Sequence, residues 1–258
     1  MNALFDVSGK TALVTGGSRG IGLMIARGLV QAGAKVIVSS RKEDQLNAAA
    51  SELASEGECT AITADLSTPQ GAAELAAATA ERFPRLDILV NNAGVTWGAP
   101  LEEFPPSGWD RVMHTNVEGI FHLTIALLGA LRAGASADDP ARVINIGSID
   151  GLRTPSTENY SYSASKAAVH MLTRHLAKRL ASEHITVNAI APGPFPSKMT
   201  AFMLDEPDAR KLVEGMVPLG RVGGADDAAG ATLFLASRAG SYLTGTVIPL
   251  DGGITGCN

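Results

Sequence analysis

From residue 11 to residue 249, short β-branched apolar runs alternate with longer alanine- and leucine-rich amphipathic stretches, and this alternation narrows the possible folds more than any other feature. A strand followed by a helical crossover returns to pair in parallel, so the pattern predicts an α/β fold with a parallel sheet. The strand-like runs fall at residues 11–15, 35–39, 60–64, 86–91, 142–146, 186–190 and 246–249. The helical stretches fall at residues 21–32, 43–56, 69–83, 109–133, 163–183 and 225–236. Seven strands with helices between them predict one doubly wound sheet with helices on both faces, a single Rossmann-fold domain over residues 1–258. No fixed-period repeat interrupts it. The one long irregular stretch, residues 192–217, is rich in Pro and Met and reads either as a substrate lid, at about residues 194–217, or as disorder.

Charge and cysteine usage exclude several function classes. A formal charge of −5 argues against a nucleic-acid partner, because such binding is dominated by cations meeting phosphates. Cys59 and Cys257 stand far apart without metal-ligand spacing, so neither a disulfide framework nor a metal site is expected. The amino terminus carries no basic leader with an apolar stretch behind it, and no segment reaches the roughly 18 apolar residues of a membrane span. A soluble cytoplasmic protein with no membrane partner is the expectation.

The segment Thr15-Gly16-Gly17-Ser18-Arg19-Gly20-Ile21-Gly22 follows a strand and opens a helix. Glycines at 16, 20 and 22 suit a tight turn, close approach of backbone N–H groups to a pyrophosphate, and close packing of the helix on the sheet. Gly16, Ser18, Arg19, Gly20 and Ile21 are therefore candidate cofactor contacts, although the same residues also suit a plain tight connection. At the end of the second strand, where NAD-binding domains place an acid for the ribose hydroxyl, the chain reads Val38-Ser39-Ser40-Arg41-Lys42. An arginine there meets a 2′-phosphate with paired charged donors and a serine adds another, so Ser40 and Arg41 predict NADP(H), with Arg19 a second candidate for the same phosphate. The alternative for Arg41 and Lys42 is a solvated helix start.

Further motifs follow in order: Asp65-Leu66 after the third strand, Asn91-Asn92-Ala93-Gly94 after the fourth, Asn116 in His-Thr-Asn-Val, Ser148 in Ile-Asn-Ile-Gly-Ser, and Tyr162 with Lys166 in Tyr-Ser-Ala-Ser-Lys. With Pro192-Gly193 and Asp251-Gly252-Gly253, they make the chain resemble the short-chain dehydrogenase/reductase family from Lys10 to Gly253. The resemblance implies an adenine pocket at Asp65 and Leu66, cofactor contacts at Asn92, Ala93 and Gly94, and a catalytic tetrad of Asn116, Ser148, Tyr162 and Lys166. It also implies that Asn116 organises a helix kink and a water linking the lysine to solvent.

The chemistry of those residues can be argued on its own terms. Hydride transfer between a nicotinamide and a carbonyl needs a proton at the developing alkoxide, and a tyrosine can supply it if a cation lowers its pKa from about 10. Tyr162 and Lys166 stand four residues apart, on one face of a helix, where the lysine can lower that pKa and also hold the nicotinamide ribose. Ser148, at a strand end, would bond the substrate oxygen; a packing pair and a helix cap are the plainer alternatives. Tyr160 competes for the acid role but has Ala164 one turn on. The five histidines show no paired-ligand spacing and read as surface or packing residues.

By the same resemblance, Pro192 and Gly193 would support the carboxamide, Phe195 would offer its backbone, and Ser197 would bond the carboxamide or pyrophosphate. Pro194 and Pro196 depart from the commonest pattern and remove two N–H donors. Met199, Phe202, Met203, Leu204 and Met216 read as an adaptable lid or as packing residues. Within the family the likeness is greatest to 3-oxoacyl-[acyl-carrier-protein] reductases of the rhamnolipid-pathway type, carried by Val95-Thr96-Trp97-Gly98, by the segment from Pro192 to Ser197, and by a spacing from Ser148 to Tyr162 one residue longer than the commonest. This implies reduction of a 3-keto group on a small or carrier-bound substrate. Arg174, Lys178 and Arg179 would then meet an acidic carrier or a CoA phosphate, or form a solvated face. A sugar, polyol or other secondary-alcohol dehydrogenase and a non-catalytic dinucleotide-binding regulator remain the other readings. The family implies a homotetramer, in keeping with apolar and small residues on several faces of the helices at 109–133 and 163–183.

Overall fold

In the computed structural model, which describes residues 3–257, the order along the chain is β1 (Thr11–Thr15), α1 (Gly20–Gln31), β2 (Lys35–Ser40), α2 (Glu43–Ala54), β3 (Cys59–Thr63), α3 (Pro69–Arg82), β4 (Ile88–Asn91), α4 (Pro106–Met113), α5 (Gly119–Ala126) and α6 (Leu128–Gly134). It continues with β5 (Ala141–Ile146), α7 (Tyr160–Leu180), β6 (Ile185–Pro192), α8 (Ala201–Leu204), α9 (Pro207–Gly215), α10 (Ala225–Ala236) and β7 (Val247–Leu250). The seven strands form one sheet, all parallel, in the order β3-β2-β1-β4-β5-β6-β7. Strand order reverses between β1 and β4. The crossovers on either side of that point leave in opposite directions and open a crevice at the carboxyl ends of the strands.

Alternation along the strands sorts the core into two layers. Ala12, Val14, Val36, Val38, Ile88 and Val90 pack under α1, α2 and α10, against Ile25, Leu29, Leu46, Leu53 and Leu235. Leu13, Ile37, Leu89, Val143 and Val187 face the other way, onto α3, α5, α6 and α7. Because both faces are covered, the central strands are apolar almost throughout, as parallel sheets require. Their exceptions are informative. Asn91 on β4 donates to Asn145 on β5 (2.9 Å), and Asn145 donates to Thr173 on α7 (2.9 Å), so a polar thread ties the sheet to the helix that carries Tyr162.

Two sequence expectations are corrected. The single helix expected at 109–133 is broken: a π-helical turn at His114–Glu118 joins α4 to α5, and Leu127 separates α5 from α6. The reason is tertiary, since the turn brings buried Asn116 against the loop after β4, and Gly119 packs so closely on Leu66 that a Cβ would stand 2.4 Å from its carbonyl oxygen. The stretch expected to be irregular folds into α8 and α9, whose Leu204 and Val213 bury against Val222 with Met203 beside them. Phe202 and Met216 of the expected lid face outward instead. No single described helix is long and apolar enough to cross a membrane.

Candidate active site

All eighteen residues expected at the cofactor line one cleft at the reversal point, together with Ser148. Its floor is the glycine loop. Gly16 and Gly20 take left-handed backbone angles (φ 65° and 54°), and the first residue before α1, Arg19, is extended with no side-chain cap on the helix. The free N–H groups of that helix start therefore face the cleft, which suits an anion. Thr15, which sequence reasoning passed over, braces the loop from behind: its hydroxyl accepts from the N–H groups of Asn92 and Ala93, both at 3.0 Å, while the Asn92 amide donates to the Thr15 carbonyl at 2.9 Å.

At one end of the cleft stand Ser40, Arg41, Lys42 and Arg19. The nearest acid, Asp65, is 4.0 Å from the Arg41 guanidinium, and among the described residues Arg19 and Lys42 enter no ion pair. That end is cationic in a chain of net charge −5. A closely held carboxylate at the end of β2 is what NAD sites use; its absence and the surplus of donors fit a 2′-phosphate.

At the other end, α7 begins at Tyr160, earlier than the expected 163, so Tyr162 lies in its first turn. Lys166 sits one turn further, buried, with its Nζ 5.6 Å from the Tyr162 ring centroid and donating to the Ile146 carbonyl at 2.8 Å. Ser148 follows β5 and stands beside the Tyr162 phenol, in the same cleft; its Oγ accepts from the Asp150 N–H at 3.1 Å. Asn116 lies behind the cleft rather than in its lining. Its amide accepts from the Val95 N–H (2.8 Å) and donates to the Val95 carbonyl (2.9 Å) and to Ser165 (3.0 Å), whose own hydroxyl donates to the Tyr162 carbonyl.

The electrostatics depart from the sequence expectation. Burial pushes the Tyr162 phenol up to about 12; the Ser148 hydrogen bond opposes this and the Asp150 charge adds to it. Burial likewise brings the Lys166 ammonium down to about 8. The protein interior penalises both charged forms, and here that outweighs the lowering of the phenol expected from the lysine. Two further groups stand near the tetrad, a histidine that the sequence reading assigned to surface or packing and an aspartate that it passed over. His170 is buried, and burial, helped by the Lys166 and Arg174 charges, lowers it to about 4; its ring packs so tightly on Gly147 that a Cβ there would stand 2.2 Å from Nε2. Asp150 follows Ser148 on the turn and is half-buried.

The segment after β6 closes over the glycine loop. A Cβ on Gly20 would stand 3.2 Å from the Ser197 Cβ, and Ser197 is held by Thr200, whose hydroxyl accepts from the Ser197 N–H (3.0 Å) and donates to the Phe195 carbonyl (2.6 Å). The Phe195 side chain is buried against Gly223. Gly193 lies against Asp251, so the two late motifs noted in the sequence support one another. On the far part of α7, Arg179 pairs with Glu183 at 2.6 Å, and Arg132 pairs with the same carboxylate at 2.7 Å.

Comparison with known proteins agrees with this geometry. Residues 16–255 match the family model described as Enoyl-(Acyl carrier protein) reductase, one of the short-chain dehydrogenase group. The chain is a short-chain dehydrogenase/reductase. A rhamnolipids biosynthesis 3-oxoacyl-[acyl-carrier-protein] reductase of Pseudomonas aeruginosa is 51% identical over 98% of this chain and 99% of its own length. A gluconate 5-dehydrogenase of Gluconobacter oxydans is 35% identical over 98% and 97%. The solved Pseudomonas aeruginosa RhlG/NADP active-site complex superposes with a TM-score of 0.96 at 50% identity, covering 99% of this short-chain dehydrogenase/reductase and 100% of that chain.

Proposed function

We propose that this enzyme uses NADPH to reduce the 3-keto group of an acyl thioester, free or carrier-bound. One observation carries the reading: a single cleft ends on one side in Arg19 and Lys42, cations without an ion pair among the described residues, and on the other in the Ser148–Tyr162–Lys166 cluster. The 51% identity to a 3-oxoacyl-[acyl-carrier-protein] reductase supports the substrate class.

The cofactor, when bound, supplies the hydride. Ser40, Arg41, Lys42 and Arg19 would hold its 2′-phosphate, the α1 start its pyrophosphate, and the Lys166 ammonium its nicotinamide ribose. Ser148 and Tyr162, side by side in the cleft, place two hydroxyls on one substrate oxygen. Tyr162 donates its proton to that oxygen as negative charge develops, and the Lys166 cation stabilises the phenolate left behind. Asn116 positions these groups by fastening the π turn to Val95 and, through Ser165, to the first turn of α7.

The test is the initial rate of NADPH and NADH oxidation with acetoacetyl-CoA and longer 3-oxoacyl thioesters. Turnover is expected with NADPH preferred, and Arg41→Ala should erase most of that preference. Failure with thioesters alongside turnover of a polyol panel would give the reading to the secondary-alcohol dehydrogenases.

Assembly belongs to the same proposal. Phe121 and Ile125 on α5 and Met171 on α7 are exposed apolar side chains, which supports burial of these helices in a homotetramer. Light scattering should give four times the 26.6 kDa chain mass, and a monomer that persists at every concentration would overturn it. Unpaired Cys59 and Cys257 support a reducing, cytoplasmic location.

A further inference from the structure

Asp150 is a charged group beside the reacting centre that the mechanism above does not use. Its backbone N–H is bonded to Ser148, and its carboxylate faces Asn159, whose carbonyl accepts from the Tyr162 N–H at 2.9 Å, so the charge stands at the first turn of α7 and raises the phenol. The turn that carries it is firmly seated: Ile149 packs with Val217 and Ile254, and a Cβ on Gly151 would stand 2.6 Å from the backbone of Lys166. The neighbours of the carboxylate offset it weakly. Asn159 donates at 3.4 Å, a long bond, and the other oxygen-bearing end of that amide is buried without a donor. Burial raises the Asp150 carboxyl, and against it stand only that amide and the charge of Arg153 on the same turn, which is exposed and screened by water.

A poorly compensated negative charge next to a carbonyl-reducing pair sorts substrates by charge. An acyl thioester is neutral around its 3-keto group, whereas a free 3-oxo acid carries a carboxylate two carbons away, and like charges at such range in a partly buried site repel appreciably. We propose that Asp150 is a specificity-determining residue, whose carboxylate turns away anionic carbonyl compounds such as free 3-oxo acids and admits neutral 3-oxoacyl thioesters and esters. The inference rests on the 3-keto reading above.

The test compares kcat/KM for the neutral thioester acetoacetyl-N-acetylcysteamine with that for acetoacetate, using NADPH, in the wild-type protein and in Asp150→Asn. The wild type should favour the thioester. In the variant the ratio should narrow by about five- to tenfold, through faster use of acetoacetate. Asp150→Ser should narrow it in the same direction and guards against a variant that does not fold. Methyl acetoacetate against acetoacetate gives a reading on the wild type alone. Equal use of ester and anion, an unchanged ratio in both variants, or a parallel fall with both substrates would overturn the inference. No turnover of the neutral thioester would instead overturn the 3-keto reading and the inference with it.

Discussion

Replacing Tyr162 with Phe should lower carbonyl reduction by about 10²–10⁴-fold while leaving the fold and NADPH binding intact. Phe keeps the ring that faces Lys166 and loses only the hydroxyl beside Ser148, so the packing of α7 has little reason to change. Retained cofactor affinity with lost turnover is the decisive combination, measured by fluorescence titration and single-turnover kinetics. A loss of both would mean that the residue is structural. The pH profile follows from the same pair. With the phenol pushed up to about 12, Tyr162 holds its proton throughout the working range and does not end the reaction at alkaline pH. Lys166, brought down to about 8, is a cation below that pH and neutral above it. The kcat/KM for reduction should therefore fall as pH rises through about 8, and Lys166→Arg, whose charge persists, should flatten that limb. A limb unmoved by the arginine variant would assign it to another group.

What sequence could read, and what it could not, divides along the range of the interactions. Strand and helix alternation is local, so the sheet and the two-layer core were legible from it. The glycine loop was legible too, because tight turns impose their chemistry on adjacent residues. The break at Asn116 was implied by the family resemblance and not by the local pattern, since its cause is a pair of hydrogen bonds to Val95, twenty-one positions away in the chain. The helices α8 and α9 were hidden for a related reason: α8 has four residues and no periodicity to show, and it exists because Leu204 finds Val213 and Val222.

The electrostatic error has the same root. A lysine four residues from a tyrosine is visible in sequence, but the burial that overrides its influence belongs to the assembled cleft. Asp150 looks like an ordinary turn residue after a serine cap. Its meaning comes only from Asn159, Ser148 and Tyr162 gathered around it. The residues expected at the cofactor's constant parts gather in one cleft, whereas those that tune charge read poorly from sequence.

Gly22→Ala tests the cofactor floor more severely than any change to a contacting side chain. Gly22 lies inside α1, where alanine would ordinarily gain roughly 1 kcal/mol over glycine. Here the sign reverses. The added Cβ would stand 2.3 Å from the Asn92 amide nitrogen and 2.3 Å from the Gly16 carbonyl oxygen, and 2.9 Å from the Gly16 carbonyl carbon. The Asn92 amide can move only by giving up its bonds to the Thr15 and Gly16 carbonyls, and Gly16 is backbone at the left-handed turn. Relief must therefore come from shifting α1 off the sheet or distorting the loop. Overpacking of this kind costs about 1–3 kcal/mol, which should lower Tm by roughly 2–10 °C in a chain of this size. NADPH affinity should fall by about 100-fold or more, because the displaced atoms form the loop that meets the pyrophosphate. Gly230→Ala in α10, where a Cβ meets nothing within 4 Å, is the matched control and should raise Tm. If both substitutions raise Tm and NADPH still binds to Gly22→Ala, close packing at the glycine loop is not what builds the cofactor site.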